Sequence, residues 1–348
     1  MPFAGLICEA SGEAITPQAC LLCARSGAPG CEIGSPAIIA GIIRGQRPPD
    51  FALAAASDER RDLRLDAGYS ITELLACPRK TRLMAEYDWW EKPTRLYYAY
   101  RGNLMHAEAE RYLSEDPLAA GEARLFWFMR FSGKIIGLSG QPDLLLYDPS
   151  LRAWKIVDYK TIKEIPSRTY RYICPISGET ISETPYRVRG KSLNCAWCNE
   201  RHPLEDVRVE EHPPQPRGSH ALQLQLYTLL VEKNVRRIAQ AVNRQLSEAG
   251  SQLSIQADAP VIAAELVYLD MSSQKRISVD LLPRSERMEL LKERLALHIQ
   301  DDLPAILTNP ADLWQCDYCP VREICARLYG DPVGKELLAA ETLETATV

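Results

Sequence analysis

The sequence predicts an α/β fold, a mixed sheet of about five strands flanked by helices. Three observations carry that reading. Two helix-like runs, at 70–86 and 101–113, come first. Four short apolar or alternating runs follow with no helix between them. Strand-like and helical runs then alternate up to residue 300. A length of 348 residues suits about two domains, and 46% hydrophobic against 25% charged residues lets such a chain bury a sizeable core. A net charge of −5 gives no global cationic field. That argues against a protein that coats nucleic acid nonspecifically, but not against a local basic groove.

Taken in order, residues 1–43 form a cysteine-bearing N-terminal module, and 44–66, with Pro48-Pro49, read as a linker. The main domain is expected over 67–330. Its first helix, 70–86, has Ser70 or Thr72 as N-cap, and a second helix spans 101–113. The runs 124–131, 134–138, 142–147 and 154–160 predict an antiparallel meander, broken by Ser132-Gly133 and Asp148-Pro149-Ser150. Residues 161–216 are polar, Pro-rich and aromatic. They read as an insertion, because so long a structureless stretch is unusual inside a compact domain. A helix over 221–232, strands at 263–270 and 277–281, and a helix over 285–300 complete the set. The tail, 331–348, is rich in Ala, Glu and Thr and is expected to fray.

Eleven cysteines are many for this length. The first forty residues hold Cys8, Cys20, Cys23 and Cys31 rather than a basic start and a long apolar run, so no signal peptide is expected. The apolar stretch 36–43 is too short to span a bilayer. The expectation is a cytoplasmic chain with no membrane partner. There, reduced C-x-x-C pairs point to metal: Cys20/Cys23, Cys195/Cys198 and Cys316/Cys319. Cys8, Cys20, Cys23 and Cys31 can close a four-thiolate zinc site. Cys174, Cys195 and Cys198 can form another with His202, read as one helical turn beyond Cys198. Residues 7–13 and 173–179 share I-C-x-x-S-G-E, which hints at two related zinc ribbons. The alternative is that these cysteines are small buried hydrophobes. Near the C-terminus, Cys316-x2-Cys319-x5-Cys325 supplies three thiolates, and Cys77 is the candidate fourth. Spacing alone fits zinc or an iron–sulfur cubane.

Residues i and i+2 of a strand share a face, so Asp158 and Lys160 emerge together with Tyr159 turned away. Asp143, in Gly140-Gln141-Pro142-Asp143, can lie opposite Asp158 on the preceding strand. Two carboxylates at one place repel unless a cation lies between them, and hard oxygen ligands suit Mg²⁺ or Mn²⁺. The Tyr159 carbonyl can add a ligand, and Lys160 can orient water or offset phosphate charge. The competing reading is that Asp143 caps a turn and Asp158 and Lys160 form a surface ion pair. His106 lies upstream in a predicted helix. Gln223 and Tyr227 lie downstream, one turn apart on a single helix face.

In this order, His106, Asp143, Asp158-x-Lys160 and Gln223-x-x-x-Tyr227 resemble the RecB-like branch of the PD-(D/E)xK nucleases over roughly residues 68–328. The resemblance implies a restriction-endonuclease-like core in which His106 and the two acids ligate the metal. It makes Lys160 catalytic and puts Gln223 and Tyr227 close by, helping to hold DNA. Cys77, followed by Pro78-Arg79-Lys80, with Cys316, Cys319 and Cys325 is similar to the iron–sulfur members. There a [4Fe–4S] cluster staples the first helix to the C-terminal segment. Size and motif order look most like the stand-alone nucleases of CRISPR adaptation, the Cas-four type. The function so implied is metal-dependent DNA cleavage, as an exonuclease on single-stranded ends, trimming fragments for spacer acquisition in antiviral defence. A CRISPR integrase complex or a helicase is the implied partner. No Walker A motif is present, so the chain is not itself a helicase. The alternatives are the same chemistry in recombinational repair or another defence or mobile-element system, and a non-catalytic module that binds DNA ends or a partner. The insertion interleaves Lys163, Arg168, Arg171, Arg187, Arg189 and Lys191 with Tyr170, Tyr172 and Tyr186. Such a set can grip phosphates and stack on unpaired bases, or it can be a solvated face around a zinc knuckle.

Overall fold

The computed structural model of the protein describes residues 3–27, 30–45, 65–97, 99–102, 104, 116–121, 124–162, 164–270, 272–300 and 315–329. The helix expected over 101–113 falls mostly outside them, as do His106, Lys163, linker residues 46–64 and the tail.

The N-terminal module is built from β1 (Phe3–Ile7), β2 (Ala14–Ile15), α1 (Pro17–Ser26) and α2 (Pro36–Gly45). Thr16 caps α1 by accepting from Ala19 N–H, and Gly27 closes it in the left-handed conformation. Leu6, Cys20 and Ile39 form its small core. The segment 67–91 follows with β3 (Ala67–Ser70), α3 (Ile71–Leu75), α4 (Pro78–Glu86) and β4 (Trp89–Glu91). Strand β4 pairs parallel to β1 and ties the module to the body.

The single helix expected over 70–86 is therefore two. Ser70 does cap the first, in a reciprocal capping box with Glu73. Ala76 then turns extended. Pro78 disfavours helical backbone at the residue before it, so Cys77 sits at the joint as the N-cap of α4.

Next come β5 (Ala119–Gly121), β6 (Leu125–Phe131), β7 (Lys134–Gly140), β8 (Leu144–Asp148) and β9 (Ala153–Thr161). The expected meander is split. Strands β6 and β7 pair antiparallel in a three-stranded sheet ordered β3-β7-β6. Strands β8 and β9 pair antiparallel in a second sheet. Residues 141–143 carry the chain from one sheet to the other, so the strand expected over 142–147 begins only at Leu144.

The insertion is not structureless. It folds as β10 (Thr169–Ile173), β11 (Thr180–Thr184), β12 (Ser192–Asn194), β13 (Arg201–Pro203) and β14 (Arg208–His212). These make a three-stranded sheet, β11-β10-β14, and the hairpin β12-β13. The chain then enters α5 (Gly218–Glu248), β15 (Val261–Leu269), β16 (Gln274–Val279), α6 (Arg284–Ile299) and α7 (Arg322–Tyr329). The five-stranded mixed sheet reads β16-β15-β9-β8-β5, with β15 parallel to β9.

Helix α5 runs 31 residues, well past the expected end at 232. Its second half is polar in bulk, but Ile238, Val242 and Leu246 recur every fourth residue and stay buried. One face of α5 covers the largest core, with Trp154 and Ile156 of β9 and Leu266 and Tyr268 of β15 beneath it. Val157 and Val267 point the other way, into a smaller cluster with Leu144. This alternation puts Asp158 and Lys160 on the α5 side of the sheet. No described helix is long and apolar enough to cross a membrane.

Candidate functional site

Asp143, Asp158, Lys160, Gln223 and Tyr227 come together where the two sheets part. Gly140 ends β7 directly under α5. A Cβ at that position would lie 2.6 Å from Leu230 Cδ1 and 2.8 Å from Tyr227 Cε1. Glycine thus lets the helix approach closely enough for Gln223 and Tyr227 to reach the end of β9. Asp143 Oδ2 accepts the backbone N–H of Tyr159 at 2.6 Å, which fixes the acid across from Asp158. Lys160 Nζ lies 2.6 Å from Asp158 Oδ2. It also donates to Gln223 Oε1 at 2.9 Å, and Gln223 Nε2 donates to Tyr227 Oη at 2.8 Å. A single relay therefore runs from the helix to the buried acid.

Asp158 is 2% exposed. Its Oδ2 is held in an ion pair with Lys160, and the Asp143 carboxyl lies within hydrogen-bonding reach. Burial pushes Asp158 up to about 6; Lys160 opposes the shift and Asp143 adds to it. The two acids thus face each other closely enough to repel. Two carboxylates held this close, one of them buried, are a donor set that fits a hard divalent cation. Burial also pushes the Tyr227 phenol up, and the Asp158 charge adds to that. Tyr159 faces the other side of the sheet, where burial and Asp143 raise it.

The insertion gathers a second donor set. Cys174, Cys195, Cys198 and His202 bring their ligand atoms within 4.8 Å of one another, so this group can hold a metal ion. Cys174 Sγ lies 3.7 Å from Cys198 Sγ and 3.4 Å from His202 Nε2, and Cys198 Sγ lies 3.1 Å from the same nitrogen. His202 is not a helical turn beyond Cys198, as expected. It sits on β13, and the β12-β13 hairpin brings it back. Two tight turns shape the site, closed by Cys174 N–H on Glu179 O at 2.8 Å and by Cys195 N–H on Glu200 O at 2.9 Å. Their left-handed residues are Gly178 and Asn199.

The shared I-C-x-x-S-G-E motif is one structure used twice. Cys8 N–H donates to Glu13 O at 2.8 Å, and Gly12 N–H to Cys8 O at 2.8 Å. The insertion repeats both bonds, from Gly178 N–H to Cys174 O at 3.0 Å in the second case. In each copy the serine Oγ accepts the glutamate N–H at 3.3 Å. Gly12 and Gly178 adopt φ of 75° and 73°. Hydrogen bonds from Ser11 hold the Cys8 thiol below its ordinary value. Cys20 is raised to about 11 by burial and then by Cys31, Cys23 and Cys8, which places the four thiols in one neighbourhood. Among the described residues, only the insertion group closes to within 4.8 Å.

At the other end, Cys77, Cys316, Cys319 and Cys325 line one cavity together with Leu83, Val321, Arg79, Lys80 and Arg322. Burial first, then Cys77, raises Cys316. Arg79 is buried, lies over the Tyr329 ring, and approaches Cys325 Sγ at 3.9 Å. Cys77 lines this cavity from the joint between α3 and α4.

Three of the insertion's arginines are held in exposed ion pairs. Arg168 and Arg187 pair with Glu211, and Arg171 with Glu183. Strand pairing sets Arg171 of β10 opposite Glu183 of β11 and Glu210 of β14. Tyr172 is buried, and its Oη accepts Val188 N–H at 2.6 Å.

No protein-family model matches the chain, and no curated protein matches it. Among solved structures, the one described as "Crystal structure of SSO0001" is 17% identical and aligns 79% of this chain with 94% of that chain at a TM-score of 0.42. A likeness that weak carries no argument, and the site stands on its own geometry.

Proposed function

We propose that the chain is a metal-dependent deoxyribonuclease with a PD-(D/E)xK-like site, of the iron–sulfur RecB-like kind. The observation that carries this is the convergence of Asp143 and buried Asp158 with Lys160 on one sheet face, under Gln223 and Tyr227. Asp143, Asp158 and the Tyr159 carbonyl would hold Mg²⁺ or Mn²⁺, with His106 as the further ligand that the resemblance implies. Such a cation supplies charge stabilisation at the phosphate and a more acidic water. Lys160, held by Gln223, offsets charge on the phosphoryl oxygens while water adds to phosphorus and a P–O ester bond breaks. Cys77, Cys316, Cys319 and Cys325 would hold a [4Fe–4S] cluster. The thiols surround a cavity rather than one point, and Arg79, Lys80 and Arg322 offset its negative charge. The insertion group and the N-terminal cysteines would each hold zinc.

The biological setting we favour is trimming of DNA ends for CRISPR spacer acquisition. The paired arginines of the insertion favour a protein partner there over a DNA grip. The deciding experiment is cleavage of single-stranded DNA by purified protein with Mn²⁺ and with EDTA. Asp143→Ala and Lys160→Ala should each lower cleavage by at least a hundredfold with melting temperature retained. Cleavage by Lys160→Ala at the unmodified rate refutes the assignment.

A further inference from the structure

One histidine beside the carboxylate site has no part in the chemistry above. His220 precedes Gln223 by three residues on α5 and so shares its face. Its ring packs on Tyr268, with centroids 5.6 Å apart and planes inclined by 36°. Tyr268 is the direct cross-strand partner of Lys160, so the histidine stands next to the catalytic lysine across the β9-β15 seam.

Its protonation follows from its neighbours. Arg217 N–H donates to Tyr268 Oη at 2.9 Å. The phenol's own proton is then free for His220 Nδ1, 3.1 Å away. An imidazole that accepts at Nδ1 carries its proton on Nε2. Among the described residues nothing bonds Nε2, and it is not one of the buried polar atoms left without a partner, so it stays open to solvent. Burial first, then the Lys160 and Arg217 charges, lowers His220 to about 4, so the ring is neutral at physiological pH.

We propose that His220 is a further catalytic residue of this site, presenting Nε2–H as an uncharged hydrogen-bond donor to a non-bridging oxygen of the substrate phosphodiester. The proposal rests on the nuclease reading above. A neutral donor suits this place. A third cation beside Lys160 and a divalent metal would be repelled, whereas a fixed N–H gains strength as negative charge builds on the phosphoryl oxygens. The proton stays on Nε2 throughout; no bond to His220 forms or breaks.

The test compares the wild-type protein with His220→Ala and His220→Gln on single-stranded DNA with Mn²⁺. If the wild type does not cut, the nuclease reading fails, and this proposal falls with it. If it cuts, His220→Ala should lower kcat about 100-fold, the usual size for one such donor. KM and the melting temperature should hardly move. His220→Gln, whose amide N–H₂ can take the donor's place, should recover most of the loss. A single Rp or Sp phosphorothioate at the cleaved bond gives a readout that a structural role would not move. The wild type should discriminate between the two forms, and His220→Ala should lose that discrimination. Wild-type kcat in His220→Ala overturns the proposal. So does a His220→Gln protein that folds yet is as impaired as His220→Ala with the phosphorothioate ratio unchanged.

Discussion

Removing one ligand from the insertion's metal group tests whether that group binds zinc. A tetrahedral zinc with Zn–S of about 2.3 Å and Zn–N of about 2.0–2.1 Å needs sulfurs about 3.8 Å apart and S···N gaps of about 3.5 Å. The structure gives 3.7 Å for the sulfur pair and 3.4 and 3.1 Å for the sulfur–nitrogen gaps. The ligands are therefore set to within a few tenths of an ångström, and binding asks for little rearrangement. Charge points the same way. Hydrogen bonds from Ser177 bring Cys174 down to about 6 against the pull of burial. Burial, and then the neighbouring Cys195 and Cys174, raise Cys198 to about 11. The first thiolate thus makes the next one harder to form, a repulsion that a dication relieves. The insertion's own core is small, with Tyr172, Ile173 and Val207 as its main buried apolar side chains, so metal must supply much of its folding energy. Structural zinc contributes about 10–16 kcal/mol in small domains. The expected result is that Cys195→Ser lowers zinc content by one equivalent per chain, as measured by elemental analysis. Limited proteolysis should then cut between 174 and 212 while the five-stranded sheet and α5 survive. In the wild type, cobalt should give the intense visible bands of tetrahedral thiolate coordination. Equal zinc in Cys195→Ser and wild type, with equal protease resistance, would refute the reasoning.

The other expectations are briefer. Gly140→Ala should cost about 1–3 kcal/mol in denaturant unfolding, because its Cβ meets Leu230 and Tyr227 below 3 Å. It should also slow DNA cleavage by pushing α5 off the lysine. Asp158 is raised from 3.8 to about 6, so it stays protonated in the fold until the pH reaches that range. Mn²⁺ affinity, followed by calorimetry, should then rise about tenfold per pH unit below 6 and level off above it. Anaerobically purified protein should be brown, and Cys319→Ala should lose the colour and solubility; a colourless active protein holding only zinc would rule out the cluster. Arg168→Ala with Arg171→Ala should leave the salt dependence of DNA binding unchanged, since both arginines already pair with glutamates on an exposed surface.

The sequence was most legible where one local rule decides the outcome. Period-two alternation put Asp158 and Lys160 on one face, and β9 does so because Trp154 and Ile156 beneath α5 fix its register. The helix face carrying Gln223 and Tyr227 was legible for the same reason. Tertiary context decided the rest. The break at Cys77 turns on one proline, which the strong helical pattern around it obscured. The far half of α5 is held by three apolar residues spaced across a polar stretch. His202 could be assigned to the metal group from spacing, but not to a hairpin, because β12 and β13 are three residues each and too short to leave a pattern. The ion pairs of Arg168, Arg171 and Arg187 were not legible either, because the glutamates they meet, Glu183 and Glu211, lie on other strands.

The position of the acids follows from how the two sheets are joined. Strand β7 belongs to the three-stranded sheet and β8 to the five-stranded one, and only residues 141–143 separate them. A chain that changes sheets over three residues must leave backbone groups at the seam without ladder partners. The Asp143 carboxylate takes one of them, the N–H of Tyr159. Helix α5 touches both sheets and roofs the seam, and Gly140 removes the one side chain that would hold it away. The seam is therefore covered on the core side, where Asp158 is buried, while His220 is only half-buried and the first residues of α5 are exposed at the other. In the proposed reading a substrate phosphate approaches the acids from the end of the seam where His220 lies. That approach is the physical reason the proposed reading sets Lys160, Gln223 and His220 around the scissile bond.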